Sequence, residues 1–193
     1  MEVAFLGLSK QHSTNVLKSV DEIWTLNDWY RVYPDIKNPA KIYQIHGNFD
    51  LTSLPGRYID WERHYRESEA EIVTINESDF ENGRVFDKQR ALDEFGIRFF
   101  TSTMSYMFAD VIMGGKVKKV FMEGIHLIAG EFVNQVPGVL HAIDLCREMG
   151  IEVYSRFEDE WRHKINEVDW ASIREPRPYW FDIFTLGEIK YGV

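Results

Sequence analysis

The chain has 193 residues, 45% apolar and 15% aromatic, which is enough length and apolar content for one folded domain with its own core. This composition excludes a disordered or fibrous chain. The formal net charge of −9 and the scattered basic residues argue against nucleic acid as the main partner, because binding to phosphate backbones depends on clustered lysine and arginine.

The sequence contains no sign of a membrane segment or of disulfide bonds. It begins Met1-Glu2-Val3, without a basic segment ahead of an apolar one, so we expect no signal peptide. No apolar run approaches the roughly 20 residues that span a bilayer. The single cysteine, Cys146, cannot form an internal disulfide, and its helical surroundings predict a core thiol. We therefore expect a cytoplasmic protein without a membrane span, and leave open whether it forms a homo-oligomer.

The first half of the chain alternates short apolar runs with helical patterns. A helix containing Val16 and Leu17 is predicted after the first run, and a charged helix before the fourth. Pro34 and Pro39 bracket a predicted loop between the second and third runs. A long excursion, with a short helix near 88–94, is predicted for 76–98. The predicted strands are residues 3–6, 23–26, 41–45 and 72–75.

The second half continues the alternation. A helix over 102–113 is predicted to end at Gly114-Gly115, and a second helix over 133–149 carries Pro137 in its first turn. Strands alternating with helices predict an α/β protein, a Rossmann-like, mostly parallel sheet with helices on both faces. We assign it to residues 1–166 as one domain, and expect the aromatic tail 167–193 to pack on this domain or on a partner subunit. Strands five and six are predicted at 119–122 and 151–154.

Polar residues and glycines follow most of the predicted strands. In open parallel sheets, ligands bind outside the carboxyl ends of the strands, so these residues would line one crevice. The residues in question are Gly7 and Ser9 after the first strand, Asn27 after the second, His46 after the third, and Gly124 and His126 after the fifth.

The stretch FFTSTMSYM, residues 99–107, places four serine and threonine side chains beside aromatic and sulfur-containing ones. The hydroxyls lie where the predicted helix begins, so Thr101 and Ser102 can bind the oxygens of a ligand in the same crevice. They can equally serve as a plain N-cap, which contributes about 1 kcal/mol and requires no ligand. Met107 and Phe108 are predicted to pack in the core.

His46 and His126 are candidate acids or bases, because both follow strands at the predicted ligand edge and histidine titrates near neutral pH. Glu131 is the best placed carboxylate, although a glutamate at a helix start also stabilises the helix dipole. Trp24 and Trp29 could stack on a base or fill the core. The histidines show no metal-binding spacing, and a lone cysteine offers no pair, so we predict no metal site.

The segment FFTSTMSYMFADVIMGGKVKKVFMEGI, residues 99–125, resembles the small bacterial sialyltransferases, in which a Thr-Ser pair begins a helix with Tyr-Met and a strand ends in Gly-Ile. FLGLSKQHS and IWTLNDWY occupy the places of that family's Gly-Pro-Ser-Leu loop and of its asparagine after the second strand. The resemblance covers about residues 1–155 and is dense over 97–125. A more distant resemblance links the chain to the 6-hydroxymethylpterin pyrophosphokinase-like family.

The same layout is similar to that of phage-encoded proteins of uncertain role. Those proteins share a histidine after the third strand, matched here by His46, and a Glu-aromatic pair followed by Gln and Pro. The pair is matched by Glu131-Phe132, and the residues after it by Gln135 and Pro137. This likeness implies that the protein is encoded by a phage or prophage.

The resemblance implies that a nucleotide, in the sialyltransferases the cytidine monophosphate part of the donor, contacts the Gly7 to Ser9 loop, Asn27, Thr101, Ser102 and Gly124. Two departures weaken the likeness to sialyl transfer itself. The loop lacks its proline, and His126 replaces the aspartate that commonly follows Gly-Ile. The region expected to hold the family's catalytic histidine offers only His141 and no tyrosine pair. The resemblance therefore supports nucleotide binding better than sialyl transfer.

These observations predict a nucleotide- or nucleotide-sugar-binding transferase of glycosyltransferase type, with the donor as substrate and no other cofactor required. One alternative is a non-catalytic module that binds a nucleotide or a partner protein. A further alternative is pyrophosphoryl transfer, which would require a divalent cation held by carboxylates such as Asp28 and Glu123.

Overall fold

The computed structural model describes residues 1–10, 12–27, 29–45, 61–96, 100, 102–127 and 135–165. The predicted aromatic tail, 167–193, lies outside these residues. Of the helices within them, none combines the length and the apolar content needed to cross a bilayer. The strands are β1 Glu2–Leu6, β2 Glu22–Leu26, β3 Lys41–Gln44, β4 Glu71–Thr74, β5 Gly83–Val85, β6 Lys119–Glu123 and β7 Glu152–Ser155. The helices are α1 Thr14–Ser19, α2 Trp29–Val32, α3 Trp61–Glu67, α4 Lys88–Phe95, α5 Thr103–Gly114, α6 Val136–Glu148 and α7 Glu158–Lys164.

The described strands form one seven-stranded sheet in the order β5-β4-β3-β2-β1-β6-β7, and every neighbouring pair is parallel. The α/β class predicted from the alternating pattern is thus confirmed. Because all strands point the same way, their carboxyl ends lie along one side of the sheet. We call this side the carboxyl edge.

Helices cover both faces of the sheet, as the sequence predicted. Successive residues of a strand point to opposite faces, and β3 shows the division. Tyr43 packs in the larger apolar cluster, together with residues of α4, α5 and α6. Its neighbour Ile42 packs in the second cluster, with Trp29 of α2 and Tyr65 of α3.

Helix α5 runs antiparallel to the strands. Asp110, in its second half, accepts a hydrogen bond from the hydroxyl of Tyr43 at 2.6 Å and lies 3.6 Å from the amine of Lys41, the first residue of β3. Arg84 of β5 also donates to this carboxylate. The second half of α5 therefore lies near the amino end of β3, and its first turn lies towards the carboxyl edge.

Three elements differ from the prediction. The excursion 76–98 contains β5, a strand of three residues whose hydrogen bonds to β4 are tertiary and leave no periodic pattern in the sequence. A single turn of helix, α2, lies between β2 and the loop bracketed by Pro34 and Pro39, and α7 follows β7; neither helix was predicted. Each is too short for periodicity to reveal it.

Candidate functional site

Three of the predicted ligand residues lie at the carboxyl edge on adjacent strands. Gly7 follows β1, Asn27 follows β2 and Gly124 follows β6, and β1 lies between β2 and β6 in the sheet. Ser102, directly before α5, belongs to the same region because α5 begins towards this edge. The structure thus brings four of the predicted residues to one side of the sheet.

The segments after β1 and β6 are packed backbone against backbone. The N–H of Gly7 donates to the carbonyl of Glu123 at 2.8 Å, and the N–H of Ser9 donates to the carbonyl of Gly124 at 2.9 Å. A Cβ built on Gly7 would lie 2.7 Å from Cγ1 of Ile125 and closer still to the carbonyl oxygen of Gly124. The two glycines are therefore required by the contact between these segments, and the amides of Gly7 and Ser9 are already committed within the protein.

Tyr33 packs beside the contact between the segments that follow β1 and β6. Its hydroxyl donates to the carbonyl of Ser9, and the ring of His12 packs edge-on against it with 4.8 Å between ring centroids. Burial, followed by the charge of Glu123, raises the pKa of Tyr33 to about 12. Tyr33 is therefore a neutral hydrogen-bond donor throughout the physiological pH range, and its bond to Ser9 holds the β1–α1 segment in place.

The start of α5 carries two buried hydroxyls without partners. Ser102 is the N-cap with an extended backbone (φ −158°, ψ 168°), yet its side chain makes no capping hydrogen bond. Both Ser102 and Ser105 are fully buried, and within the described part of the chain neither Oγ atom has a hydrogen-bond partner. Most buried polar groups in proteins are hydrogen-bonded, so two orphans within one turn need an explanation. A ligand oxygen at the first turn of α5 would provide partners for both.

Asn27 and Gln44 place two further unpartnered oxygens at the ends of neighbouring strands. Asn27 has a left-handed backbone (φ 45°), its N–H donates to the carbonyl of Tyr43 at 3.3 Å, and its own carbonyl accepts from the hydroxyl of Tyr65 at 2.9 Å. Within the described residues, Oδ1 of Asn27 and Oε1 of Gln44 are buried without hydrogen-bond partners. Sequence reasoning missed Gln44, although a polar residue inside the apolar run KIYQI is a visible signal.

Of the three candidate acids and bases, only His126 lies within the described residues. His46, Glu131 and Thr101 lie outside the described residues. His126 follows β6 as predicted; its ring packs edge-on against Phe157 with 4.5 Å between centroids, and its carbonyl accepts from Nε1 of Trp161 at 2.9 Å. These contacts fix His126 on the β6 side of the carboxyl edge.

The aromatic residues near Asn27 serve the core. Trp24 and Trp29 are only 2% and 3% exposed, and Nε1 of Trp29 donates to the carbonyl of Ile36 at 3.0 Å. Of the two interpretations open from the sequence, the structure therefore favours core packing over stacking on a base. Among the described residues, no group of three or more His, Cys, Asp or Glu side chains could hold a metal ion.

The fold and the position of these residues define a class, an α/β protein with a doubly covered parallel sheet and buried polar side chains at the carboxyl edge. The sequence matches no protein-family model, and no curated protein matches it.

The fold is similar to that of solved sialyltransferase structures. The sialyltransferase CstII from Campylobacter jejuni, in complex with the substrate analogue CMP-3FNeuAc, aligns with a TM-score of 0.55 and 17% identity over 82% of this chain and 84% of that one. A mutant of the alpha-2,3/8-sialyltransferase CstII aligns with a TM-score of 0.52 and 16% identity over 80% of both chains. CstII in complex with a trisaccharide acceptor and CMP gives 0.50 and 15%, again over 80% of both. At these identities the likeness shows the fold alone.

Proposed function

We propose that this protein binds a nucleotide or nucleotide sugar at the carboxyl edge and acts as a glycosyltransferase-like transferase. The observation that carries the proposal is the pair of buried hydroxyls at the start of α5, Ser102 and Ser105, which have no hydrogen-bond partner among the described residues. A helix start has unpaired N–H groups and the positive end of the helix dipole, which favour a phosphate or carboxylate. The two hydroxyls add donors for its oxygens.

The other groups at this edge complete a site for an anionic ligand with a polar base or sugar. The unpartnered oxygens of Asn27 and Gln44 can accept hydrogen bonds from ligand N–H or O–H groups. The packed segments at Gly7, Ser9 and Gly124 form the wall on the β1–β6 side. His126 or His46 would supply the acid or base and Glu131 a carboxylate.

The solved structures with a similar fold support this choice of ligand. Two of them are complexes, one with CMP-3FNeuAc and one with CMP and a trisaccharide acceptor. A CMP-linked sugar is therefore the first donor to test. The pyrophosphoryl alternative has less support, because the carboxylate of Glu123 is already engaged by the N–H of Ser13 and by Arg156.

Thermal unfolding and calorimetry with CMP, UDP, GDP and ADP, each with and without magnesium, test the proposal. A ligand at 100 times its dissociation constant should stabilise the protein by about 2.7 kcal/mol. We expect CMP to stabilise the wild type and the double variant Ser102→Ala/Ser105→Ala to lose that effect. Asp87→Ala, which removes a side-chain cap on α4, is the control that should bind normally. If none of these nucleotides stabilises the protein, the proposal is wrong.

Turnover separates a transferase from a binding module. Release of CMP from CMP-N-acetylneuraminate, with and without a sugar acceptor, should be detectable in the wild type and reduced in His126→Ala or His46→Ala. Binding of CMP without turnover of any donor would identify the non-catalytic module instead. A phage or prophage origin, a cytoplasmic location and a link to the pterin pyrophosphokinases remain predictions.

A further inference from the structure

Glu123 is a buried carboxylate at the carboxyl edge that the proposed chemistry does not use. It is the last residue of β6, and only 7% of it is exposed. Burying a carboxylate is costly unless hydrogen bonds and an opposite charge compensate it. The groups that contact the Glu123 carboxylate therefore indicate its role in the fold.

Those partners come from the segments that follow the strands on either side of β6. Oε2 of Glu123 accepts a hydrogen bond from the backbone N–H of Ser13 at 2.6 Å, a sequence separation of 110 residues. The same oxygen lies 3.5 Å from the guanidinium of Arg156, which follows β7. Ser13 is the N-cap of α1, so the carboxylate fixes the point at which the β1–α1 segment becomes helix.

The backbone around Glu123 holds the other end of that segment. Its carbonyl accepts from the N–H of Gly7, and the carbonyl of Gly124 accepts from the N–H of Ser9. Gly7 and Ser9 are thus attached to the end of β6 by backbone hydrogen bonds, and Ser13 is attached to it by the Glu123 carboxylate. Two of these attachments are backbone hydrogen bonds, which no side-chain substitution removes. A substitution of Glu123 removes the third, the hydrogen bond from Ser13.

We propose that Glu123 is a positioning residue, which fixes residues 7–10 and 12–13 as the wall of the ligand site through the N–H of Ser13, with Arg156 as its counter-ion. The proposal rests on the proposed function for its consequence in binding, but its structural part can be tested without a ligand. Glu123 acts through the backbone of Ser13 and contacts no ligand in this arrangement. Removing it should loosen the wall while leaving the hydroxyls of α5 in place.

Calorimetry with CMP provides the first test. Glu123→Ala should weaken CMP binding about tenfold, because the ligand must then order a wall that the wild type holds in place. Glu123→Gln keeps an acceptor oxygen for Ser13 and should fall between Glu123→Ala and the wild type. Asp110→Asn is the matched control, because its side chain is 8% exposed against 9% for Glu123 but lies at the opposite end of the sheet. Asp110→Asn should lower stability and leave the dissociation constant within about twofold.

Amide hydrogen exchange in the ligand-free protein provides the second test. Exchange at Ser13 should accelerate about tenfold or more in Glu123→Ala and partly recover in Glu123→Gln, while Asp110→Asn should leave it unchanged once global stability is matched. If the wild type does not bind CMP, the proposed function fails, but hydrogen exchange at Ser13 still tests whether Glu123 is a positioning residue. Unchanged exchange at Ser13 in Glu123→Ala, or equal loss of CMP affinity in Asp110→Asn and Glu123→Ala, would overturn it.

Discussion

Gly7 and Gly124 lie backbone against backbone at the ends of β1 and β6, with no space for a side chain on either. A Cβ on Gly124 would lie 2.5 Å from the hydroxyl oxygen of Tyr33 and 2.6 Å from the carbonyl oxygen of Ser9. Gly124 also has φ +64°, a conformation that costs residues with a Cβ atom. The sequence predicts that both glycines contact a ligand, and the structure shows that their packing requires glycine at both positions.

Gly124→Ala should destabilise the protein by about 3 kcal/mol, because the methyl group would overpack a rigid backbone contact and strain the left-handed φ. Chemical denaturation measures the loss. Gly114→Ala is the matched control, since a Cβ there meets nothing within 4 Å and the residue lies within α5. It should be neutral or slightly stabilising. Equal stability of the two variants would show that the segments after β1 and β6 separate easily.

Ser102→Ala and Ser105→Ala should leave the stability of the ligand-free protein unchanged or raise it by up to about 1 kcal/mol, because each removes a buried hydroxyl that has no partner among the described residues. Asp87→Ala should instead cost about 1 kcal/mol, since the Asp87 carboxylate accepts from the N–H of Arg90 at 3.1 Å as a helix cap. Thermal unfolding compares the three variants. A substantial loss of stability in the serine variants would mean that their hydroxyls have partners within the protein.

Asp110→Ala should destabilise the protein by about 3 kcal/mol, because it leaves the hydroxyl of Tyr43 buried without its acceptor and Arg84 without one of its counter-ions. Tyr43→Phe should cost less, about 1 kcal/mol, since it removes only one hydrogen bond. Urea denaturation at constant ionic strength gives both values. If Asp110→Ala were no worse than Tyr43→Phe, the ion pairs of Asp110 with Arg84 and Lys41 would contribute nothing to stability.

Cys146 should make stability depend on alkaline pH. Burial raises the pKa of its thiol from 9.0 to about 12 in the folded protein. Above pH 9 the unfolded chain releases this proton while the native protein keeps it, so the free energy of unfolding should fall as pH rises from 9 towards 12. Denaturation of the wild type and of Cys146→Ala at pH 8, 9, 10 and 11 measures the slope. The variant should show a smaller slope, and identical slopes would contradict a buried protonated thiol.

Much of the scaffold could be predicted from local patterns. The apolar runs gave β1, β2, β3, β4, β6 and β7, and the glycines after α5 and α6 gave their ends. Pro137 lies in the first turn of α6, where its missing N–H costs nothing. Strand β5 could not be found this way, because a three-residue strand is defined by its ladder with β4 and carries no period of its own.

The position of the candidate site residues in the fold could be predicted from the sequence, but their hydrogen bonds and burial could not. The rule that ligands bind at the carboxyl ends of parallel strands correctly brought Gly7, Asn27, Ser102 and Gly124 to one edge. It could not show that the amides of Gly7 and Ser9 are already bonded, nor that Gln44 and Ser105 hold buried oxygens for which the described residues offer no partner. These facts depend on distances between residues far apart in the chain.

By itself the sequence determined the alternation of strands and helices, because periodicity and the backbone preferences of glycine and proline act over a few residues. The all-parallel strand order and the antiparallel course of α5 then fixed which ends meet. Only the tertiary structure decided that Glu123 holds Ser13 across 110 residues, and that the buried hydroxyls of Ser102 and Ser105 find no partner in the part of the chain that the structure describes. Burial and long-range hydrogen bonds are properties of the packed chain, which no local pattern encodes.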